Sequence, residues 1–470
     1  MSIATILSVL PTLRQLRKRE HWTREQLEAH QARTLNQLRE YVYQHSPFYQ
    51  QFHHGLWDRP LSELPVLTKS MMMEHFDDLV TDRAIHLEDV RAHMNTPQTD
   101  QQYLDRYWVT ATSGSSGHPG FFLFDPSEWA TVIGSFARGQ EWGGLKVNLL
   151  RRRKMAVVAS TTALHMSFRV GMTVQSPWMK TLRLAAAEPL PSIVEKLNDF
   201  QPDVLVAYAS MARILAEEQH AGRLRIQPTV IFSSSEVLTD ETRRRVEDAW
   251  GKILFNEYVA TESGGLAAER SDHRGQYVFE DLVIFEIVDD QNRPVLPGVY
   301  GDKVLLTALF NRTQPLIRYE LHDSIKLASE PYSTDFPFAL IDGIQGRTED
   351  TLYFPGAKGG EVAVHPNVFH PVMDTVPTNG WQIIQDTNGL TLLLAGVRGS
   401  YSDDLLVQKV EQALGTQGIV IPHVTVQRVE AIPKGASGKA PLIKSHLAHV
   451  SPKDLQRLTR VRSMEVASQK

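Results

Sequence analysis

Between residues 152 and 259 the chain alternates two kinds of apolar segment, and that alternation limits its fold more than any other feature. "RKMAVVAS" (152–160), "DVLVAYA" (203–209), "TVIFSSSE" (229–236) and "KILFNEYV" (252–259) are short and apolar, as strands are. Residues 188–199, 210–221 and 239–250 between them read as helices. Strand, helix, strand at this spacing predicts a mostly parallel sheet covered by helices. Upstream, 22–52 reads as one helix: Leu27, Leu35, Leu38 and Val42 recur at near-helical spacing, and Thr23 with Gln26 sets up a capping box. From about 277 the texture changes to short strands and turns, as in "VIFEIVD", "YGDKVLLTAL" and "PLIRYEL". Beyond "GRTEDTLYF" (346–354), the strand-rich stretches "WQIIQDTNGLTLLLAGV" and "GIVIPHVTVQRVEAI" flank the helix "SDDLLVQKVEQAL". The expected fold is therefore α/β. A large N-terminal domain, 1–348, carries mostly parallel sheets covered by helices plus a β-rich portion. A small mobile α+β domain, 349–470, follows, with the boundary near Glu349 and Asp350.

One loop carries the first chemical signal. In "TATSGSSGHPGFFLF" (Thr110–Phe124), serine and glycine dominate and no Lys, Arg, Asp or Glu falls inside. Such a loop leaves backbone N–H groups unobstructed and lets them turn inward, which suits a polyphosphate. It is not a Walker loop, because GxxxxGK[ST] is missing and His118 sits where a lysine or threonine is expected. Read alone, the stretch fits a phosphate cradle or a plain flexible turn. Three later segments bear on the choice. "NEYVATESGG" (256–265) brings Tyr258, Thr261 and Glu262 to a strand end, where a carboxylate can hold Mg2+ beside a triphosphate or simply be exposed. "PLIRYELHDS" (315–324) places Asp323 where it can accept from two ribose hydroxyls or lie in a surface turn. "AIPKGASGKAPLIK" (431–444) presents Lys439 in a Gly/Ser-rich loop, as a point charge for developing phosphate charge or as a solvated lysine.

Charge and composition exclude several classes. The net charge of -5 argues against nucleic-acid binding, which draws on a basic surface. With no cysteine there is no disulfide, thiolate nucleophile or Cys-built zinc site, which fits a reducing compartment. "HPNVFHP" (365–371) reads as a turn entering a short helix rather than a metal site. In "MSIATILSVLPTLRQLRKRE" the basic residues follow the apolar run and Pro11 interrupts it, the reverse of a signal peptide. The segment is expected to pack on the protein's own body, without stable membrane insertion, and a cytoplasmic location is expected.

Taken in order, these pieces resemble the adenylate-forming superfamily of acyl-CoA synthetases, peptide-synthetase adenylation domains and luciferases. "TSGSSGHPG" is similar to its phosphate motif, "YVATE" to its aromatic-x-x-Thr-Glu motif, and "RYELHD" to its Arg-Tyr…Asp motif. "GRTED" resembles the hinge motif and "SGK" the terminal lysine motif. "LREYVYQHSPFYQQFHHGL" with "LSELPVLTKSMMMEHFDDL" narrows the resemblance to the compact branch of phenylacetate-CoA ligase and coenzyme F390 synthetase-like proteins.

The resemblance implies a role for each segment. Ser113, Gly114, Ser115, Ser116 and Gly117 would wrap the β- and γ-phosphates of ATP. Glu262 would hold Mg2+ and Thr261 would sit by the α-phosphate. Ser234, Ser235 and Glu236 would form the adenine wall, Tyr258 would stack on adenine, and Asp323 would grip the ribose. Arg347 would close the large domain, Glu349 and Asp350 would form the hinge, and Lys439 would be delivered by rotation of the small domain. His165 and Phe168, in "ALHMSF", and His322 are candidates for the acid pocket, with core packing or surface exposure as their alternatives. The chain departs from the motifs at His118, at Val259 where glycine usually follows the tyrosine, and at Glu320–His322.

The implied activity is ATP-dependent activation of a carboxylic acid to an acyl-adenylate, with pyrophosphate release. Acyl transfer to a thiol, CoA by family default, would follow. Amide formation, adenylyl transfer to a hydroxyl, or nucleotide binding without turnover are the alternatives. The expected partners are a small carboxylic acid and a thiol or amine acceptor, with a homodimer common in the branch.

Overall fold

The computed structural model describes residues 3–447 except 97–100, 113–118, 146–151, 161–164, 174–177, 332–335, 348–351, 358, 360, 365–367, 374, 379 and 434–439. Its contacts divide the chain into two compact units. One is Met1–Glu349 with Pro433–Ala440, and the other is Asp350–Ile432 with Pro441–Lys470.

The larger unit is built on a nine-stranded sheet. Five neighbouring strands run parallel in the order Met179–Ala185, Arg153–Ala159, Val204–Ala207, Val230–Ser234, Leu254–Ala260. Helices Leu190–Phe200, Ala209–His220 and Asp240–Trp250 join successive strands, so sequence alternation becomes a covered parallel sheet. Their apolar faces meet the sheet in a core that includes Ile193, Leu197, Met211, Leu215, Ile231 and Val246. Gly264–Glu269 then turns back antiparallel to Leu254–Ala260, and Gln276–Val278, Leu340–Arg347 and Asp323–Leu327 extend the sheet to its other edge. A separate three-stranded antiparallel sheet, Val283–Val288, Lys303–Ala308 and Tyr319–Leu321, accounts for the β-rich texture after 277.

The N-terminal helices pack onto this frame. Arg24–His45 has the expected capping box at Thr23 and Gln26, but it stops at Ser46. Pro47 forces the preceding residue out of the helical region, and a second helix, Pro47–Phe52, begins there. The opening helix, Ile3–Arg19, lies along helix Pro126–Trp142, where Leu16 and Thr12 meet Gly134 and Arg17 pairs with Glu141. Buried Asp281 receives both Arg138 and Arg19 at 2.6–3.3 Å, tying helix to helix through a satisfied charge.

The smaller unit has a four-stranded sheet, in the order Val424–Val429, Gly389–Ala395, Gly380–Asp386, Ile443–Ser445. Helix Asp403–Gly415, capped by Ser402, buries Leu406, Val410 and Leu414 against it.

Candidate nucleotide and acid site

Two paired strands flank the glycine-serine loop. Trp108–Ala111 pairs antiparallel with Phe121–Phe124, from Trp108 opposite Phe124 to Ala111 opposite Phe121. Phe122 and Phe124 enter the main core while Phe121 and Leu123 enter a second cluster, so the returning strand is buried on both faces. The Thr112 N–H donates to the Gly120 carbonyl at 3.0 Å, and the Gly120 N–H returns to Thr112 Oγ1 at 2.8 Å. These bonds clamp the base of the loop; Ser113, Gly114, Ser115, Ser116, Gly117 and His118 lie outside the described residues.

The base touches the turn that carries Glu262. Thr110, fully buried, donates from Oγ1 to the Thr261 carbonyl at 3.4 Å. Thr261 to Ser263 form the turn between Leu254–Ala260 and Gly264–Glu269, and Gly264 takes a φ of +82° to complete it. A β-carbon there would lie 2.9 Å from Val132 Cγ1, so this position also admits helix Pro126–Trp142. Glu262 is buried in the turn.

The next pieces arrive on neighbouring strand ends. Ser234 ends Val230–Ser234, which runs parallel beside Leu254–Ala260 with Ser234 opposite Glu257. Ser235 follows with a φ of 68°, a left-handed conformation unusual outside glycine. Glu236 Oε2 accepts the Ser210 N–H at 2.8 Å in the first turn of helix Ala209–His220, and its Oε1 accepts the Ala440 N–H at 3.3 Å. Tyr258 donates its hydroxyl to Asp323 Oδ2 at 2.6 Å and packs its ring edge-on against Phe285. Asp323 is the cross-strand partner of Arg347, so the carboxylate is held between the Tyr258 hydroxyl and the strand that ends at Arg347.

The remaining calls are placed less closely. His165 and Phe168 are half-buried at the start of helix Met166–Thr173, with Arg169 fully buried beside them. His322 is exposed between Leu321 and Asp323. Arg318, the arginine of "RYELHD", is buried away from any ligand role: it pairs with Glu286 at 3.0 Å and donates to the Leu64 carbonyl. Glu349, Asp350 and Lys439 lie outside the described residues. Sequence reasoning included Thr110 and Thr112 in the quoted loop but gave neither a role. It missed Glu257, whose Oε1 meets no partner among the described residues and whose carboxyl burial pushes up to about 8.

No protein-family model matches the chain. It is 26% identical over 427 residues to phenylacetate-coenzyme A ligase of Thermus thermophilus, covering 85% of this chain and 87% of that protein. Over 263 residues it is 28% identical to phenylacetate-coenzyme A ligase of Pseudomonas putida, covering 53% and 56% of the two. Among solved structures, 2-hydroxyisobutyryl-CoA ligase in its postadenylation state aligns with a TM-score of 0.69 and 19% identity, over 94% of this chain and 93% of that one. The chain thus has the fold of acyl-CoA ligases, and its resemblance to phenylacetate-CoA ligases extends over most of its length.

Proposed function

We propose that the chain is an ATP-dependent, AMP-forming acid–thiol ligase, with CoA as the thiol. One observation carries the reading: the Thr110–Thr261 contact and the Tyr258–Asp323 bond link the loop base and the ribose-type carboxylate to the C-terminal end of Leu254–Ala260, where the Glu262 turn begins. Ligands of open α/β sheets bind beyond such ends.

In this reading a carboxylate oxygen of the acid bonds to the α-phosphorus of ATP, and the α–β bridging P–O bond breaks. Its electron pair leaves with pyrophosphate. The thiol sulfur then bonds to the acyl carbon and loses its proton as AMP departs. Ser113–Gly117 wrap the outer phosphates through backbone N–H groups, Thr261 sits at the α-phosphate, Tyr258 stacks on adenine and Asp323 holds the ribose. Ser234 and Ser235 lie along the adenine, and Glu236 braces that wall from the helix it caps. The Lys439 ammonium meets the charge that builds on the α-phosphate. Residues 1–348 form the nucleotide- and acid-binding domain, with Arg347 on the nucleotide side at its end, and 349–470 a lid that turns about Glu349 and Asp350. His165, Phe168 and His322 are the candidates to meet the acid.

Glu262 fits a magnesium role. A Mg2+ ion takes one or two carboxylates plus substrate phosphate oxygens and keeps waters. Glu262 is one carboxylate beside the loop base, and no group of three or more ligating side chains forms a complete cage among the described residues. When bound, the ion would screen the phosphate charge.

The test is exchange of labelled pyrophosphate into ATP, dependent on an added acid. Lys439→Ala is expected to lower exchange by at least about 100-fold while keeping ATP affinity within a few-fold, as loss of a group acting mainly in the transition state does. Equal loss of exchange and affinity, or exchange that ignores the acid, would count against the reading.

A further inference from the structure

Consecutive residues of strand Leu254–Ala260 serve its two faces. Side chains alternate along a strand, so Tyr258, turned toward Asp323 and Phe285, leaves Glu257 on the other face. There Glu257 abuts helix Pro126–Trp142, its Oε1 2.7 Å from where a β-carbon on Gly139 would stand. Its carboxyl is buried and forms no hydrogen bond or ion pair among the described residues. We infer that Glu257 is the specificity-determining group of the acid site, selecting carboxylic acids whose tail carries a hydrogen-bond donor, a hydroxyl or an amino group. The inference rests on the proposed function, since it presumes that an acid is activated at this strand end.

Three observations support it. First, the carboxyl is incomplete. Buried polar groups are paired with few exceptions, and Asp281, which receives Arg138 and Arg19, follows that rule where Glu257 does not. Burial, with no neighbouring charge to offset it, pushes the group up to about 8. At neutral pH it is therefore mainly protonated and can both donate and accept. Second, its face of the sheet is only partly covered. Strand register carries that face from Val157 to Val206 to Phe232, and Ser234 then stands beside Glu257. Val157, Val206 and Ser234 are half-buried, whereas Ala156, Val158, Leu205, Ala207 and Ile231 on the opposite face are sealed in the core beneath the helices. Third, the spacing suits the tail of an acid. Thr261, proposed at the α-phosphate, stands four residues beyond Glu257, about 13 Å in extended chain. With the nucleotide against Tyr258, an acid whose carboxylate meets Thr261 can lay its tail along the other face as far as Glu257. An apolar tail would leave the carboxyl unpaired, and a donor would complete it.

The experiment measures acid-dependent pyrophosphate exchange into ATP with matched sets of aryl and alkyl acids, each a parent acid with its hydroxy and amino forms. The native chain is compared with Glu257→Gln, Glu257→Met and Glu257→Ala. The native chain is expected to use at least one donor-bearing form with a kcat/KM about 10- to 100-fold above that of its parent, the scale of a hydrogen bond that completes a buried carboxyl. Glu257→Gln, which keeps a donor and an acceptor, is expected to hold that preference to within a few-fold. Glu257→Met keeps the length and removes the polarity. It is expected to erase the preference, chiefly by raising the KM of the donor-bearing form, with the KM for ATP unchanged. A preference that survives in Glu257→Met overturns the inference. Equal loss with parent and donor-bearing forms overturns it too, by making Glu257 structural. If Glu257→Met does not fold, Glu257→Ala decides alone, and if neither folds, Glu257 is structural and the inference fails. Exchange without preference in the native chain sinks this inference alone, whereas no exchange with any acid overturns the proposed function itself.

Discussion

Tyr258 does two things with one side chain: its hydroxyl donates to Asp323 while its ring packs edge-on against Phe285. In the proposed function, removing the hydroxyl alone should leave the ring for adenine and release the carboxylate. Tyr258→Phe is expected to raise the KM for ATP about tenfold, the scale of a hydrogen bond to a charged group. Preference for ATP over 2′,3′-dideoxy-ATP should narrow with it; an unchanged preference would separate Tyr258 from ribose binding. Next to it, Glu257 faces Gly139 of helix Pro126–Trp142, where a β-carbon would lie 2.7 Å from its Oε1. Burial raises its carboxyl to about 8, against about 4.3 in an unfolded chain. Between those values the folded chain keeps a proton that the unfolded chain releases, so this group's contribution to stability falls as pH rises through that window. Glu257→Gln should therefore gain on the native chain between pH 5 and pH 8 in urea titrations. A difference that does not change with pH would rule out a buried neutral carboxyl. None of this was legible beforehand: Tyr258 and Asp323 could each be nominated from a motif, but their bond joins residues 65 apart in sequence, and burial of Glu257 is a tertiary property.

At the scale of elements, helix Pro126–Trp142 is the spine behind the site. Gly134 admits Leu16 and Thr12, Gly139 admits Glu257, and Gly143 would place a β-carbon 2.5 Å from Phe232. Such contacts with rigid core groups do not yield easily, so Gly143→Ala is expected to cost about 1–3 kcal/mol and lower the Tm by several degrees. A Tm at or above the native value would mean that the helix can shift away from the sheet. This helix was readable in principle, because Asp125 and Glu128 form a capping box with Pro126 at its first turn, yet the sequence reading passed over it. The strands and helices from 190 to 260 were read to within about two residues because their periodicities alternate cleanly. Strand Met179–Ala185 was missed: it is the sheet edge, and Lys180 and Arg183 interrupt its apolar pattern. The single helix expected over 22–52 was overruled by Pro47.

For the whole molecule, the parallel sheet and its antiparallel extension set strand ends side by side, and the candidate site is where those ends meet the hairpin. Fold class was legible in the sequence because it depends on the order of elements. No helix among the described residues is long and apolar enough to cross a membrane. The central claim is that these parts join an acid to a thiol at the cost of one ATP. It is tested most directly by mass spectrometry of products formed from ATP, Mg2+ and CoA across aryl, fatty and amino acids. The account predicts that at least one acid yields its CoA thioester together with equal amounts of AMP and pyrophosphate, and that Lys439→Ala abolishes the yield. ATP binding without pyrophosphate release for any acid, or release that answers to an amine or an alcohol and not to CoA, would contradict it.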